Sequence, residues 1–362
     1  MTLITFIVVL VLLIVVHEIG HFVAAKAFGM RVLEFGLGYP PKLFGIRRGE
    51  TEYTVNALPF GGFVKILGEE LLATDKDPRS FASKPRWQQA IVLFAGVCMN
   101  VLLAWGIFVF LLLGGIPQSI AESDIPRAKN VALMVSGVVP DSPAYQSALT
   151  PGARITAVRG ETAELTTLTP GAFTAFIDTH QEETITLVTE SAEGTQTTSL
   201  VPKKGILENE RERSALGIAL TLSGVIERSF FEAIVDGWVV TVVLLKNIVI
   251  GLTSFFVQVF TLSANFSDIS GPVGIALAVG DASALGWYAL LQLTAIISLN
   301  LAIINLIPIP ALDGGRLLFV LIESVIRRPI HPSVAGTANA LGFGFLILLM
   351  VLVTASDVIK IF

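Results

Sequence analysis

The chain has 362 residues, of which 53% are hydrophobic and only 15% are charged, and its formal net charge is −5. Soluble domains average roughly 45–50% apolar and 25% charged residues, so this composition predicts an integral membrane protein. The acidic balance offers no basic patch, and we therefore expect no nucleic-acid partner. The single cysteine, Cys98, excludes an intrachain disulfide and a cysteine-based zinc site.

A membrane-spanning helix needs about 20 largely apolar residues. Four segments meet this requirement: Leu3–Ala27, Trp87–Gly114, Leu285–Ile307 and Ala340–Ala355. A fifth apolar segment, Phe230–Leu262, carries interspersed charges, and we predict that it lies at the interface without crossing. Lysine and arginine are dense between the first two spans, which indicates the cytoplasmic side. The expected topology is therefore four spans with both termini outside the cytoplasm.

Two polar regions separate the apolar segments. Residues 30–86 are glycine-rich, and Thr51–Ala57 alternates like a strand that Pro59 and Gly61–Gly62 are expected to break. Residues 118–228 are acidic on balance and contain four strand patterns and one helix candidate, Pro170–Thr179. We therefore predict a cytoplasmic β-hairpin and a small domain of strands with one or two helices.

The first span contains the sequence "HEIGH", with His17, Glu18 and His21 in an otherwise apolar run. Residues four apart lie on one face of a helix, so both imidazoles can reach one metal ion. Two imidazoles and a carboxylate commonly hold catalytic zinc, and Glu18 beside them can take a proton from a water molecule. The alternative is a polar cluster that only forms hydrogen bonds with other spans. Three polar groups without a ligand at membrane depth cost free energy, which argues against it.

A third metal ligand is needed, and acidic residues are scarce in apolar context. Asp313 is the best candidate, because Pro308 and Pro310 break the third span just before it and Gly314–Gly315 follow it. Freed backbone at membrane depth is tolerated inside the protein or beside water, so this turn can present a carboxylate to a wet cavity. An ordinary Asp-Gly turn explains the same residues equally well, and Glu323 is the fallback ligand.

Several ordered motifs resemble the site-2 protease family of intramembrane zinc metalloproteases, specifically the bacterial regulator-of-sigma-E protease type with a single PDZ domain. These motifs are "HEIGH", "NALPFGGFVKI", "SGPVGIA", "NLAIINLIPIPALDGGRLL" and "VVPDSPAYQSALTPGARITAVRG". The resemblance covers nearly the whole chain. Two departures are Val97, where the family often has proline, and Ala153, where a PDZ pattern usually has aspartate.

The resemblance implies roles for individual residues. His17, His21 and Asp313 would bind Zn²⁺, and Glu18 would be the general base. Asn305 and Asn300 would contact the substrate, although interhelical hydrogen bonding is an equally ordinary role for an asparagine in a span. An edge strand at 52–56 would hold the unwound substrate backbone by β-augmentation through Glu52, Tyr53, Thr54, Val55 and Asn56. A hairpin that only packs is the alternative for that strand.

The resulting fold class is a polytopic α-helical membrane protein of about four transmembrane helices, with a membrane-associated β-hairpin loop and one inserted PDZ-like α/β domain. The predicted segments are the first span at 1–28, the hairpin loop at 29–86, the second span at 87–116, the PDZ-like domain at 117–205, an interfacial region at 206–284, the third span at 285–326 and the fourth at 336–358.

The expected function is endoproteolysis within transmembrane segments of single-span membrane proteins, of the anti-sigma factor or signal-peptide remnant type, in a bacterial inner membrane. The PDZ-like domain would be extracytoplasmic, and it would bind peptide C-termini or exclude substrates with bulky external domains. Two rival classes are a transporter or ion channel that uses the polar cluster as an ion site, and a catalytically silent scaffold. The lack of an inverted repeat argues against the first, and the intact Glu18 argues against the second.

Overall fold

The computed structural model describes residues 2–69, 77–115, 117–147, 149–191, 194–206, 213–261 and 271–361. Ser270, which opens the "SGPVGIA" motif, lies outside these residues. The described α-helices are α1 (Thr2–Ala27), α2 (Arg86–Leu113), α3 (Pro143–Gln146), α4 (Pro170–Thr179), α5 (Phe230–Phe260), α6 (Pro272–Ala284), α7 (Trp287–Leu306), α8 (Asp313–Ile326) and α9 (Pro332–Ile361). The described strands are β1 (Val32–Arg48), β2 (Thr51–Ile66), β3 (Gln118–Ile120), β4 (Ala128–Val138), β5 (Arg154–Arg159), β6 (Ile185–Ser191), β7 (Gly194–Leu200) and β8 (Ile218–Ile226). They form two compact units, Leu112–Phe231 and the remainder of the chain.

Five of the described helices, α1, α2, α5, α7 and α9, are long and apolar enough to cross a membrane by length and composition. They make the chain a multi-pass membrane protein. Helix α5 has 31 residues, and only 6% of its most apolar window is buried. Its interfacial placement, and with it the four-span topology, therefore remains a prediction.

Strands β1 and β2 form an antiparallel hairpin that folds back on itself. The first half of β1 pairs with both ends of β2, since Phe35 faces Tyr53 on one side and Val64 on the other. The second half of β1 pairs with the first half of β2. The lateral order is therefore 42–48, 51–56, 32–39 and 58–66. Strand β2 continues to Ile66, so the predicted break at Pro59 is wrong: the chain changes pairing partner there without leaving the strand.

The other unit is a six-stranded antiparallel sheet in the order β3-β8-β4-β5-β6-β7, with α3 and α4 beside it. Its core includes Leu133, Ile155, Ile185 and Leu187, all 1% exposed or less. The four strand patterns and the helix at Pro170–Thr179 were predicted correctly. The predicted domain end at residue 205 is wrong, because β8 pairs with both β3 and β4 and so belongs to this sheet.

Candidate metal centre and active site

Helix α1 carries "HEIGH" through an apolar core and ends before Gly29, whose φ of +66° suits a glycine helix terminator. It packs against α2 through small residues. A Cβ added at Gly20 would stand 2.9 Å from the Cα of Gly96. A Cβ added at Gly96 would stand 2.7 Å from Cε1 and 2.8 Å from Nε2 of His17. The two glycines therefore permit the close backbone approach that brings α2 beside the imidazoles.

The turn before Asp313 was also predicted from its prolines, and the structure shows it. Helix α7 ends at Leu306, and α8 begins at Asp313. A Cβ added at Gly314 or Gly315 would overlap the backbone oxygens of Leu306, Ile307 or Ile309, so only glycine lets the first turn of α8 lie against this segment. The two glycines thus set where the Asp313 carboxylate points.

Three possible ligand atoms converge between α1 and α8. His17 Nε2 lies 2.9 Å from Asp313 Oδ2, His21 Nε2 lies 3.2 Å from the same oxygen, and the two Nε2 atoms are 3.1 Å apart. Both histidines are buried, with 7% and 8% of their surfaces exposed. In a tetrahedral zinc site with ligands at 2.0–2.1 Å, neighbouring donor atoms lie roughly 3.3 Å apart. The spacing and chemistry of this donor set therefore fit zinc.

The fourth possible ligand, Glu323, is engaged elsewhere. Its carboxylate pairs with Arg86 Nη1 at 2.9 Å and accepts a hydrogen bond from the backbone N–H of Ile330 at 2.9 Å. Among the described residues, the group of histidine and acidic side chains that could hold a metal ion is His17, His21 and Asp313. Asp313 is thus the carboxylate that the fold brings to the imidazoles, and Glu323 is not.

One edge of the hairpin lies beside Glu18. A Cβ added at Gly62 would stand 3.1 Å from Glu18 Cγ and 2.8 Å from Ile14 Cγ2. Glycine at this position lets β2 run closely over the helix turn that carries the predicted base. Phe63 and Val64, which follow Gly62, pair with β1 on one side only among the described residues. These two residues therefore form a strand edge next to the candidate catalytic carboxylate.

The prediction that 52–56 is an edge strand is wrong. Glu52, Tyr53, Thr54 and Val55 each pair with both halves of β1, so their backbone groups are already used. The side chains of two of the predicted binding residues form hydrogen bonds within the hairpin. Thr54 Oγ1 donates to Glu34 at 2.6 Å, and Asn56 Nδ2 donates to the carbonyl of Gly38 at 3.0 Å. Sequence alternation identified the strand, but its neighbours depend on how β1 folds back.

The two predicted asparagines differ. Asn300 Nδ2 donates to the backbone oxygen of Ile296 at 2.9 Å, which is a bond within α7, so both its substrate contact and the interhelical alternative stay predictions. Asn305 is half-buried, one residue before α7 ends and eight residues before α8 begins at Asp313. Sequence reasoning missed Gly96, whose only signal was a glycine inside a span.

The fold and this cluster define a membrane protein with a buried zinc-type site of two histidines and one aspartate beside a glutamate. Comparison with known sequences agrees with that class. The sequence model of "Peptidase family M50" matches residues 5–349, and the chain belongs to this family, the site-2 proteases.

Named relatives support the same assignment. A Clostridium perfringens protein provisionally named a zinc metalloprotease is 36% identical over 348 residues, covering 96% of this chain and 95% of the relative. A similarly named protein of Fusobacterium nucleatum is 31% identical over 367 residues, covering all of both chains. "Zinc metalloprotease RasP" of Geobacillus kaustophilus is 29% identical over 442 residues, covering 100% of this chain and 98% of the relative. The chain is therefore a membrane metalloprotease that uses zinc.

Proposed function

We propose that this metalloprotease hydrolyses peptide bonds within transmembrane segments of single-span membrane proteins, as a step of regulated intramembrane proteolysis. The observation that carries the proposal is the placement of the metal cluster on an apolar helix of spanning length. A bond that reaches His17, Glu18 and His21 must itself enter the depth of that helix. The anti-sigma factor or signal-peptide remnant type is the substrate class that the family resemblance favours, in a bacterial inner membrane.

The proposed roles follow from the donor set. His17, His21 and Asp313 would hold the ion, which would supply Lewis-acid chemistry at this site. Glu18 accepts the proton of the attacking water and then gives it to the leaving amine nitrogen. Asn305 donates a hydrogen bond to the substrate backbone or to the developing oxyanion, and one such donor is worth about 2.7–4 kcal/mol in a well-studied case.

The strand edge at Phe63 and Val64 is the proposed binding surface for the substrate backbone. A helical substrate must unwind before cleavage, and its freed N–H and C=O groups then need partners in a nonpolar medium. This edge at Phe63 and Val64 supplies such partners by β-augmentation, and Gly62 places it beside Glu18. The originally expected residues, Glu52–Asn56, support this surface from the interior of the sheet.

The domain at Leu112–Phe231 is proposed to bind peptide C-termini. A groove of about 370 Å³ lies between α4 and the start of β8, with Phe173, Ile177, Leu216 and Leu220 among its apolar lining. Strand β3 pairs with β8 only at Leu222–Gly224, so Ile218–Thr221 is paired on one side among the described residues. An added peptide strand fits that side. Exclusion of bulky substrates is the alternative role, and the extracytoplasmic location remains a prediction from charge distribution.

The function is tested with the purified chain in proteoliposomes that hold a single-span substrate. Glu18→Gln should bind zinc as the unaltered chain does and lose cleavage, because the amide cannot take a proton. Mass spectrometry of the products should place the cut inside the hydrophobic segment. Cleavage only outside that segment would refute the intramembrane role, and full activity of Glu18→Gln would refute the mechanism. Zinc-independent ion flux would favour the transporter class.

The binding surface is tested by proline substitution along the edge. Neighbouring residues Phe63 and Val64 direct their N–H groups to opposite sides, so one proline removes a bond to β1 and the other an outward donor. The outward substitution should raise KM with the zinc content unchanged. Leu43→Pro on the opposite edge, where the side chain is 70% exposed, is the matched control. Equal effects at both edges would contradict the assignment.

A further inference from the structure

Asn100 is a fully buried polar residue of α2 beside the metal cluster. Its Nδ2 lies 3.2 Å from Nδ1 of His17. Its Oδ1 is also buried, and it has no hydrogen-bond partner within the described parts of the chain. An unpaired buried amide oxygen costs free energy, so the position of this side chain calls for a physical explanation.

The chemistry of His17 supplies one. Its Nε2 is the atom that faces Asp313 Oδ2 and His21 Nε2, and a ligating nitrogen must offer its lone pair. The proton of the neutral ring then sits on Nδ1 and requires an acceptor. A half-turn of the Asn100 amide, which exchanges two nearly identical ends, brings Oδ1 to that proton. The rotation exchanges the two ends, so Nδ2 then occupies the place that Oδ1 holds now.

Helix α2 treats the second histidine in the same way. His21 Nδ1 donates to the backbone oxygen of Val92 at 2.8 Å, which leaves Nε2 free for the metal. Val92, Gly96 and Asn100 are four residues apart, so they lie on one face of α2. That face therefore carries an acceptor for each imidazole with a glycine between them, where the rings approach most closely.

A third helix holds this turn of α2 in place. Ser298 of α7 is buried, and its Oγ–H donates to the backbone oxygen of Asn100 at 2.8 Å. The bond ties α7, whose end leads into the Asp313 turn, to the residue that contacts His17. The position of Asn100 is thus set by backbone contacts on one side and by an imidazole on the other.

We infer that Asn100 is a positioning residue of the metal centre: its Oδ1 accepts the Nδ1–H of His17 and so orients the Nε2 lone pair toward the ion. The inference rests on the proposed ligand role of His17 and adds a residue outside the ligand set. Outer partners of this kind typically contribute about 10–100-fold to metal affinity.

The test measures zinc affinity of the purified full chain by competition with a chelator, and it records the absorption spectrum of the cobalt-substituted protein. Asn100→Leu removes the acceptor at similar size and should weaken zinc binding by about 10–100-fold. Asn100→Asp keeps an acceptor at the same place and should bind zinc within about threefold of the unaltered chain or more tightly. Thr294→Val is the matched control and should change nothing, because Thr294 is a buried α7 residue whose hydroxyl donates to the backbone oxygen of Leu290 in its own helix.

Two results would overturn the inference. Unchanged affinity and cobalt spectrum in Asn100→Leu would show that His17 needs no partner. An Asn100→Asp variant as weak as Asn100→Leu would show that the amide must donate to His17. If Asn100→Leu does not fold, the cobalt spectrum of Asn100→Asp decides: an unaltered spectrum supports the inference and a lost one refutes it. Zinc bound normally without cleavage would count against the proposed function only.

Discussion

Two carboxylates of this protein are held by basic side chains, with opposite consequences. Asp313 meets two buried imidazoles whose Nε2 atoms converge on its own oxygen, an arrangement that fits a metal cation. Asp178, in the other unit, meets the fork of Arg213 at 2.8 and 2.7 Å, and both side chains are about one-third exposed. Hydrogen bonds from Arg213 lower the pKa of Asp178, so this pair is complete without any ligand. The comparison indicates that a metal site is marked by hydrogen-bond acceptor atoms that face one another.

The largest effect is expected from substitution of Asp313, the first of these two carboxylates. Asp313→Asn keeps the shape and removes the charge and the better ligand, so zinc affinity should fall by at least about 100-fold, more than for an outer partner. Cleavage should fall with it. Equilibrium dialysis with metal analysis measures the change. Retention of one tightly bound zinc would show that another group completes the site.

The next largest effect is expected from a methyl group added at Gly96, where α2 contacts α1. Gly96→Ala places a Cβ against both imidazole rings, so we expect zinc affinity to fall by about 10–100-fold while the helices still form. Gly106→Ala in the same helix is the control, because its added Cβ would meet no atom within 4 Å. Equal zinc binding by the two variants would mean that the rings do not depend on close approach of α2.

Substitution of Asp178, the second carboxylate, should have a much smaller effect. Asp178→Asn breaks a partly exposed ion pair, for which about 0.5–1 kcal/mol of stability is a reasonable expectation. Hydrogen exchange of the α4 amides in the full chain should rise slightly, and zinc binding should stay the same. A change in zinc affinity would contradict the view that Arg213 and Asp178 form a closed pair with no part in the metal centre.

The smallest effect concerns a third carboxylate, Glu50, at the tip of the hairpin. Hydrogen bonds from Lys26 and Arg79 lower its pKa from 4.5 to about 2. A lowered folded-state pKa means that this contribution to stability is present above pH 4.5 and is lost as the pH falls toward 2. In the Glu50→Gln variant, the thermal midpoint should therefore change slightly less between pH 4.5 and pH 2 than it does in the unaltered chain. An unchanged acid profile would show that the pair is screened by solvent.

The sequence by itself determined the features that depend on local spacing. Apolar runs predict the spanning helices, the four-residue interval places His17 and His21 on one helix face, and Pro308 and Pro310 predict the break before Asp313. Alternation predicts the strands of the Leu112–Phe231 unit from β4 to β7. Each of these follows from residues within one or two turns of one another, and the structure agrees.

Only the tertiary structure decided which distant segments meet. Alternation cannot tell that Glu52–Val55 has partners on both sides, since this depends on β1 folding back across it. Nor does any local pattern bring β8 into the sheet or set Gly96 and Asn100 against His17, 79 and 83 residues away along the chain. Pairing of this kind is settled by packing and by the satisfaction of buried polar groups, which act between segments that the sequence keeps apart.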